Sequence, residues 1–243
     1  MFNRFLYLIL CFYSTTSISF SQNNTNNSGL YQWLDAQIDQ VNSGIFNGTQ
    51  YAEEHRMINE KHKFFENFSF ERGTLFYDGS IYPDILMRYN VYEKQIIVKG
   101  TFKPNDPEVI LDNSKLHKFI LSDHTFEYYD FLLEDGKYIS GFFENLLQTE
   151  SISVFKKHQK QIRTRTSEKL RYHEFEDNSN YIVVLDDTIK LVKNPKRLVK
   201  LFPKYKEDIK AELSQVDKDS VDWDLVMVMV FRRISTQHTK SKI

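Results

Sequence analysis

Between Ile81 and Tyr92 the sequence IYPDILMRYNVY alternates with a period of two. Ile81, Pro83, Ile85, Met87, Tyr89 and Val91 fall on one side, and Tyr82, Asp84, Leu86, Arg88, Asn90 and Tyr92 on the other. Side chains of an extended chain point alternately to its two faces, so the pattern predicts a strand with one face in a core. Upstream, Asp78-Gly79 is the pair a two-residue hairpin turn prefers, because both central positions need positive φ. Downstream, Glu93-Lys94 can turn the chain into a third strand over 95–99. The stretch 73–98 therefore reads as a three-stranded meander. Pro83 has no N–H for a ladder, which puts its end of the strand at a sheet edge or beside a bulge.

The same style continues. After a loop at 103–107, strand-like runs occupy 108–111, 116–121, 125–132, 138–147, 151–155, 170–175, 181–185 and 188–192. Glu134-Asp135-Gly136-Lys137 and Asp186-Asp187 supply turns between them. About ten short strands at this spacing predict an α+β chain, mainly antiparallel, in a curved sheet, sandwich or barrel-like arrangement. Helices are expected at both ends. Ser28 caps one over 29–42, and Asn194-Pro195 opens a helical region over 195–235, since Asn is a good cap and Pro suits the first helical turn. The run WDLVMVMVF from Trp223 is assigned to a helix: Asp219, Asp222 and Asp224 suit its positive N-terminus, and Arg232 and Arg233 its negative C-terminus. The expected organisation is one domain over 29–236, β-rich from 68 to 193, with a tail over 237–243.

The first residues, MFNRFLYLILCFYSTTSISFSQNN, have the layout of a cleavable secretory signal. Arg4 is the positive element, 5–13 is an apolar run too short to span a bilayer, and Ser19 and Ser21 are the small residues before the cut. Residues 22–28 form a polar leader. The only cysteine, Cys11, lies in the apolar run, preceded by Leu10 rather than the small residue that lipid attachment needs. Removal of 1–21 leaves a cysteine-free mature chain, which excludes disulfides, thiolate nucleophiles and Cys-ligated zinc. Stability then depends on an ordinary core, and a domain of this size typically buries roughly 70–75% of its unfolded surface. The implied location is beyond the inner membrane: periplasmic, outer-membrane-associated or secreted.

Several segments carry a family likeness. The N-terminal helix followed by IFNGTQY, then GTLFYDGSIYPDILMRYNVY, HKFIL with TFEYYDF, and LVKNPKRLVKLFPKYKEDIKAEL resemble a family of exported, signal-peptide-bearing proteins of bacteroidete-type bacteria. The Ser-x-Ser-Gln leader ending is also similar to theirs. The resemblance covers nearly all of the mature chain and its motifs are structural. It implies export and this fold; it implies no activity, because the family has none established.

Chemistry-bearing patterns are sparse. The sequence contains no G-x-S-x-G, no H-E-x-x-H and no glycine-rich phosphate loop among its eight glycines. Ser122-Asp123-His124 has triad residue types, but neighbours in sequence cannot face one another as a relay requires. His55, Asn59 and His62 would share a face if 52–63 were helical, and with Glu54 or Glu60 the two histidines could hold a metal; the segment's dense charge fits a solvated helix better. No cofactor is implied.

Charge is spread unevenly. Residues 1–150 hold 12 Lys+Arg against 20 Asp+Glu, and 151–243 hold 20 against 13. The stretch KKHQKQIRTRTSEKLRYH contains Arg163, Arg165, Lys169 and Arg171; if it is extended, Arg163 and Arg165 project from one face. Lys190, Lys193, Lys196, Arg197 and Lys200 form a second basic cluster. Such surfaces can hold an anionic envelope polymer or another envelope protein, or can balance the acidic first half; nucleic acid is disfavoured outside the cytoplasm. The abundant aromatics, 20 Phe and 14 Tyr, fit cores and strand pairs, with Tyr82 and Tyr92 the candidates for an exposed aromatic site. Charge within the strands and the closing helices argue against a membrane barrel. The expected function is that of a non-enzymatic exported binding or structural accessory protein, with an envelope hydrolase or a small apolar-ligand carrier as alternatives. Mass spectrometry of the exported protein should find its N-terminus at Gln22 and no acyl chain; an intact leader or a lipidated Cys11 would overturn the export assignment.

Overall fold

The computed structural model describes residues 44–100, 106–167, 170–186, 188–216 and 221–240. The expected signal, leader, Cys11 and the helix over 29–42 lie outside these residues. The chain divides into Met1–Gln40 and Val41–Ile243, and everything below concerns the second unit.

Its strands are β1 (Thr49–Gln50), β2 (Glu71–Tyr77), β3 (Ser80–Asn90), β4 (Gln95–Lys99), β5 (Glu108–Ile110), β6 (Leu116–Leu121), β7 (His124–Leu132), β8 (Tyr138–Gln148), β9 (Ile152–Lys157), β10 (Lys160–Ser167), β11 (Leu170–Asp177), β12 (Asn180–Leu185) and β13 (Thr188–Val192). Three helices follow: α1 (Leu198–Leu201), α2 (Lys206–Leu213) and α3 (Trp223–Lys240). Eleven strands form one open antiparallel sheet in the order β1-β5-β4-β3-β2-β6-β7-β8-β9-β12-β13, while β10 and β11 pair as a separate ribbon. The sheet does not close into a barrel.

The meander β2–β3–β4 is present. Asp78 and Gly79 have φ of 50° and 75°, with Tyr77 opposite Ser80, as the hairpin chemistry requires. The alternation of β3 slips once. Gly73 of β2 faces Ile85, but Leu75 faces Tyr82, so β3 carries an extra residue at Pro83-Asp84, with Asp84 at φ 58°. A bulge re-aims everything beyond it. Ile85, Met87, Tyr89 and Val91 enter the core as expected, whereas Ile81 is 63% exposed and Tyr82 packs against the core in its place.

That core face is concave. Tyr89 on β3 and Phe126 on β7 are separated by two strands, which at about 4.8 Å spacing is about 14 Å across a flat sheet. Their ring centroids are 5.5 Å apart, and Tyr89 also meets Phe119 of β6 at 5.3 Å. Only a curled sheet brings them together. Farther along the same face, Val154, Tyr181, Val183 and Leu185 are covered by α1, α2 and α3 through Leu198, Ile209, Val230 and Phe231.

The last helix forms for the reason foreseen at one end only. Asp222 Oδ1 accepts from the backbone N–H groups of Asp224 and Leu225, at 3.0 and 3.2 Å. The helix runs on to Lys240, however, so Arg232 and Arg233 lie inside it rather than at its C-terminus. Arg233 instead ties α3 to α2, reaching Asp208 at 3.1 Å and Glu212 at 3.0 Å.

The opposite face of β3 was expected to point away from the core. It does, yet Arg88 and Asn90 are buried. An irregular strap over 51–70 lies across them. Phe65 N donates to Tyr89 O at 2.8 Å and Val91 N to Lys63 O at 3.1 Å. Beneath the strap the Arg88 guanidinium sits 4.0 Å from the Phe64 ring centroid and 4.3 Å from that of Phe70, paired with Glu108 at 2.9 Å. Lys63, fully buried, pairs with Glu53 at 2.9 Å and Glu93 at 3.4 Å. Breaking a buried pair of this kind strands a charge.

Two substitutions test the register. Met87→Ala should cost about 2–5 kcal/mol in denaturant unfolding. Gly73→Ala should also destabilise, because an added Cβ would lie 2.1 Å from Met87 Cε and 2.3 Å from the Ile120 carbonyl oxygen, and the second is backbone that cannot swing aside. Wild-type stability in either variant would contradict the pairing of β3 with β2.

Candidate functional site

On the sheet face opposite the helices, β7, β8, β9, β12 and β13 carry a second apolar cluster, built on Phe131, Phe143, Phe155 and Ile182. Alternation explains its placement: Tyr181 and Val183 point to the helices, so Ile182 between them points the other way. Over part of this cluster lies a groove of about 1050 Å³, floored by Phe143, Ile182, Ile189 and Leu191. The Asn194-Pro195 turn, in which Asn194 Oδ1 accepts from Lys196 N at 3.0 Å, carries the chain along its rim.

The rim is cationic. Lys94, Lys137, Lys157, Lys190, Lys193, Arg197 and Lys200 line the groove against two acids, Glu134 and Asp135. Both acids are engaged: Lys137 meets Asp135 at 2.6 Å and Lys190 meets Glu134 at 3.8 Å. Among the described residues, Lys94, Lys193, Arg197 and Lys200 have no ion-pair partner. Lys157 donates to the Ser140 carbonyl at 2.6 Å and lies 5.3 Å from the Phe143 ring centroid. Burial, with repulsion from Lys94, holds its pKa below the usual lysine value. A low-dielectric floor under unpaired cations is an arrangement that attracts anions.

The basic stretch singled out from sequence lies elsewhere, on the β10–β11 ribbon. Arg163 pairs with Glu176 at 3.2 Å, and Arg165 with Glu174 at 3.1 Å and Glu176 at 3.6 Å. These partners belong to the adjoining strand of the same ribbon, not to the acidic first half. Arg171 is exposed opposite Thr166, and Lys169 lies outside the described residues. Of the second basic cluster, Lys190, Lys193, Arg197 and Lys200 line the groove and Lys196 does not. Lys94 and Lys157 reach it from distant parts of the sequence.

Neither aromatic candidate is an exposed platform. Tyr82 is drawn onto the core by the bulge, and Tyr92 is half-buried against Phe175 and His55, with ring centroids at 5.0 and 5.7 Å. Residues 52–63 are not helical, so the spacing of His55 and His62 does not stack them. His55 meets Tyr92, His173 and Phe175, while His62 sits against Phe64 and Phe68. Among the described residues no group of three or more His, Cys, Asp and Glu is placed to hold a metal, and no helix is long and apolar enough to cross a membrane.

A second polar centre was not anticipated as such. Glu144, buried on β8, accepts from His124 Nδ1 at 2.5 Å and His158 Nε2 at 2.6 Å, and His124 Nε2 reaches Glu66 at 3.2 Å. Burial pushes the Glu144 pKa up, but the hydrogen bonds from His158 and His124 outweigh it and hold it below the ordinary carboxylate value. Burial dominates at His158 and lowers its pKa. At His124 burial also works downward, yet the hydrogen bond and charge of Glu144, joined by Glu66, leave it raised. The triad-type Ser122 is engaged elsewhere: its Oγ donates to Glu71 at 2.6 Å. Both Glu144 oxygens are occupied, and the centre does not line the groove. It binds β7, β8 and the β9–β10 connection together.

No protein family, curated protein or solved structure matches the chain.

The centre has a pH signature. The folded pKa of Glu144 lies below its ordinary 4.5, so its stabilising contribution is complete above about pH 4.5 and is lost as pH falls through the folded value. His158, also lowered, adds a loss beginning below its ordinary 6.5, and His124, raised, contributes the opposite slope above it. Glu144→Gln should cost about 3–5 kcal/mol near neutral pH and should flatten the acid limb of stability against pH. An unchanged acid limb would show that Glu144 is not its source.

Proposed function

We propose that the protein is a non-enzymatic, exported envelope accessory protein that binds an anionic ligand in the groove of β8, β9, β12 and β13. The observation that carries this is the set of cations unpaired among the described residues, Lys94, Lys193, Arg197 and Lys200, around an apolar floor. The groove's volume, about 1050 Å³, stands at the upper end of small-molecule pockets, which suits an extended ligand or a segment of polymer. Hydrolysis finds less support. Its usual acid and base would be carboxylates or histidines facing the cavity. Here the lining acids are both held by lysines, and no histidine lines the groove. Export is supported by the leader's layout and by a chain whose only cysteine falls within it.

Inorganic polyphosphate is a suitable first probe. Lys193→Glu combined with Arg197→Glu should weaken its binding by about tenfold or more, equivalent to about 1.4 kcal/mol, with little change in melting temperature. Binding by the wild type should fall steeply with salt, as the Debye length contracts from about 10 Å at 0.1 M to about 3 Å at 1 M. Arg163→Glu with Arg165→Glu should do the reverse, lowering the melting temperature through the ribbon's lost pairs and leaving binding intact. Loss of binding in the ribbon variant alone would move the site to the ribbon.

A further inference from the structure

Residues 52–62 of the strap form a loop fixed at both ends. At one end Tyr51 N donates to Glu108 O of β5 at 2.7 Å. At the other, Val91 N donates to the carbonyl of Lys63, whose side chain is fully buried. Between these anchors the loop lies against the ribbon, where His173 N donates to Arg56 O and Phe175 N to Lys61 O, both at 2.8 Å. Asn59 Nδ2 and Lys61 Nζ reach Glu174 at 2.9 and 3.1 Å. We infer that this loop is a pH-operated flap, which lifts off the ribbon when His62 and His173 take up protons in mildly acidic surroundings and closes on it near neutrality.

Two features of the geometry carry this. The first is a pair of bare nitrogens: His62 Nδ1 and His173 Nδ1 are buried and have no hydrogen-bond partner among the described residues. A neutral imidazole can leave one nitrogen as an idle acceptor, but a protonated ring bears a hydrogen on both. A buried, charged donor with nothing to receive it is costly, and lifting the loop into water relieves that cost.

The second feature is what the two rings face. His173 meets the His55 ring of the loop, with centroids 5.2 Å apart, and has Arg171 on its own strand. The acids nearest to His55, Glu53 and Glu93, lie 3.8 and 3.7 Å from its Nδ1 and are both shared with the buried Lys63. No acid among the described residues pairs with His173 itself. His62 lies beside Lys160 of the ribbon, whose Nζ donates to the carbonyls of His62 and Phe64 at 2.7 and 2.6 Å; Glu60 is the acid that opposes it.

Burial lowers the pKa of both histidines, joined by Lys160 at His62 and by His55 and Arg171 at His173. Lifting the loop restores the ordinary 6.5, so the open form binds more protons and gains as pH falls through that value. Glu174 responds later. Its hydrogen bond from Lys61, with those from Arg165 and Asn59, holds it below the ordinary 4.5, so its grip on the loop persists into stronger acid. Beyond the second anchor the sign reverses: Glu66 meets His124 at 3.2 Å, and the pKa of His124 is raised, which favours that link in acid. Mild acid therefore frees 52–62 while the strap stays attached beyond Lys63.

Amide hydrogen exchange of the full chain, followed by NMR and expressed as protection factors, reads the flap through His173 and Phe175, whose N–H groups it covers. Between about pH 7.5 and about pH 5.5 their protection should fall about tenfold or more, while Tyr51 and Val91 at the anchors change by less than about twofold. His62→Gln with His173→Gln removes both titrating rings and should reduce the fall to about twofold or less. Equal protection at the two pH values, an equal loss at all four amides, or an undiminished fall in the double variant overturns the flap. If the double variant does not fold, His173→Gln alone, at a half-exposed position, should still lessen the fall, and an undiminished fall there overturns the inference equally.

Discussion

An open sheet has two faces, and water must be kept from the apolar part of each. In a barrel, closure hides one face at once; here β1 and β13 end the sheet, so each region of each face needs its own cover. The concave side solves this by curling until Tyr89 meets Phe126, and beyond the curl by the packing of α1–α3. The convex side is covered by the 51–70 strap over β3, β4 and β5. At β8, β12 and β13 the convex side instead carries an apolar floor beneath a groove, the region proposed above as the binding site.

The treatment of cations differs between three places in the fold. Under the strap, Lys63 and Arg88 are buried with Glu53, Glu93 and Glu108 and rest against aromatic rings. On the ribbon, Arg163 and Arg165 are matched by Glu174 and Glu176. Around the groove, acids are few, and cations from β4's preceding turn, from β9 and from the stretch into α1 converge without acidic partners among the described residues. The chain's near-neutral net charge, −1, thus conceals one local imbalance that matters.

Much of the fold was legible because its causes are local. The Asp78-Gly79 turn, the runs that became β4, β6 and β13, the Asn194 cap and the Asp222 end of α3 each follow from a few adjacent residues. The bulge at Pro83-Asp84 was half legible: proline announced an irregularity, but its effect on Tyr82 depends on the partner strand's register. Burial of Arg88 and Asn90 was invisible, since the strap that covers them is irregular and has no period to read. The site was legible in part. Lys190, Lys193, Arg197 and Lys200 were recognisable as a cluster, whereas Lys94 and Lys157 join them only through sheet order. The ribbon arginines misled because their neutralising glutamates sit one hairpin later, at diagonal positions that require the strand pairing to be known.

The ribbon is an excursion between two strands that are themselves neighbours, β9 and β12, and it reaches back to the strap. His173 N donates to Arg56 O, Phe175 N to Lys61 O, and Lys160 Nζ to the carbonyls of His62 and Phe64. These contacts join parts of the chain made far apart in time. While the chain is being made, the first half can pair its strands, but the strap is not clamped until about a hundred further residues have emerged. Until then the strap over Ile97 is held by its bonds to β3 and β5 alone. If the chain is exported as proposed above, this order leaves the joining of strap to ribbon until both have emerged together.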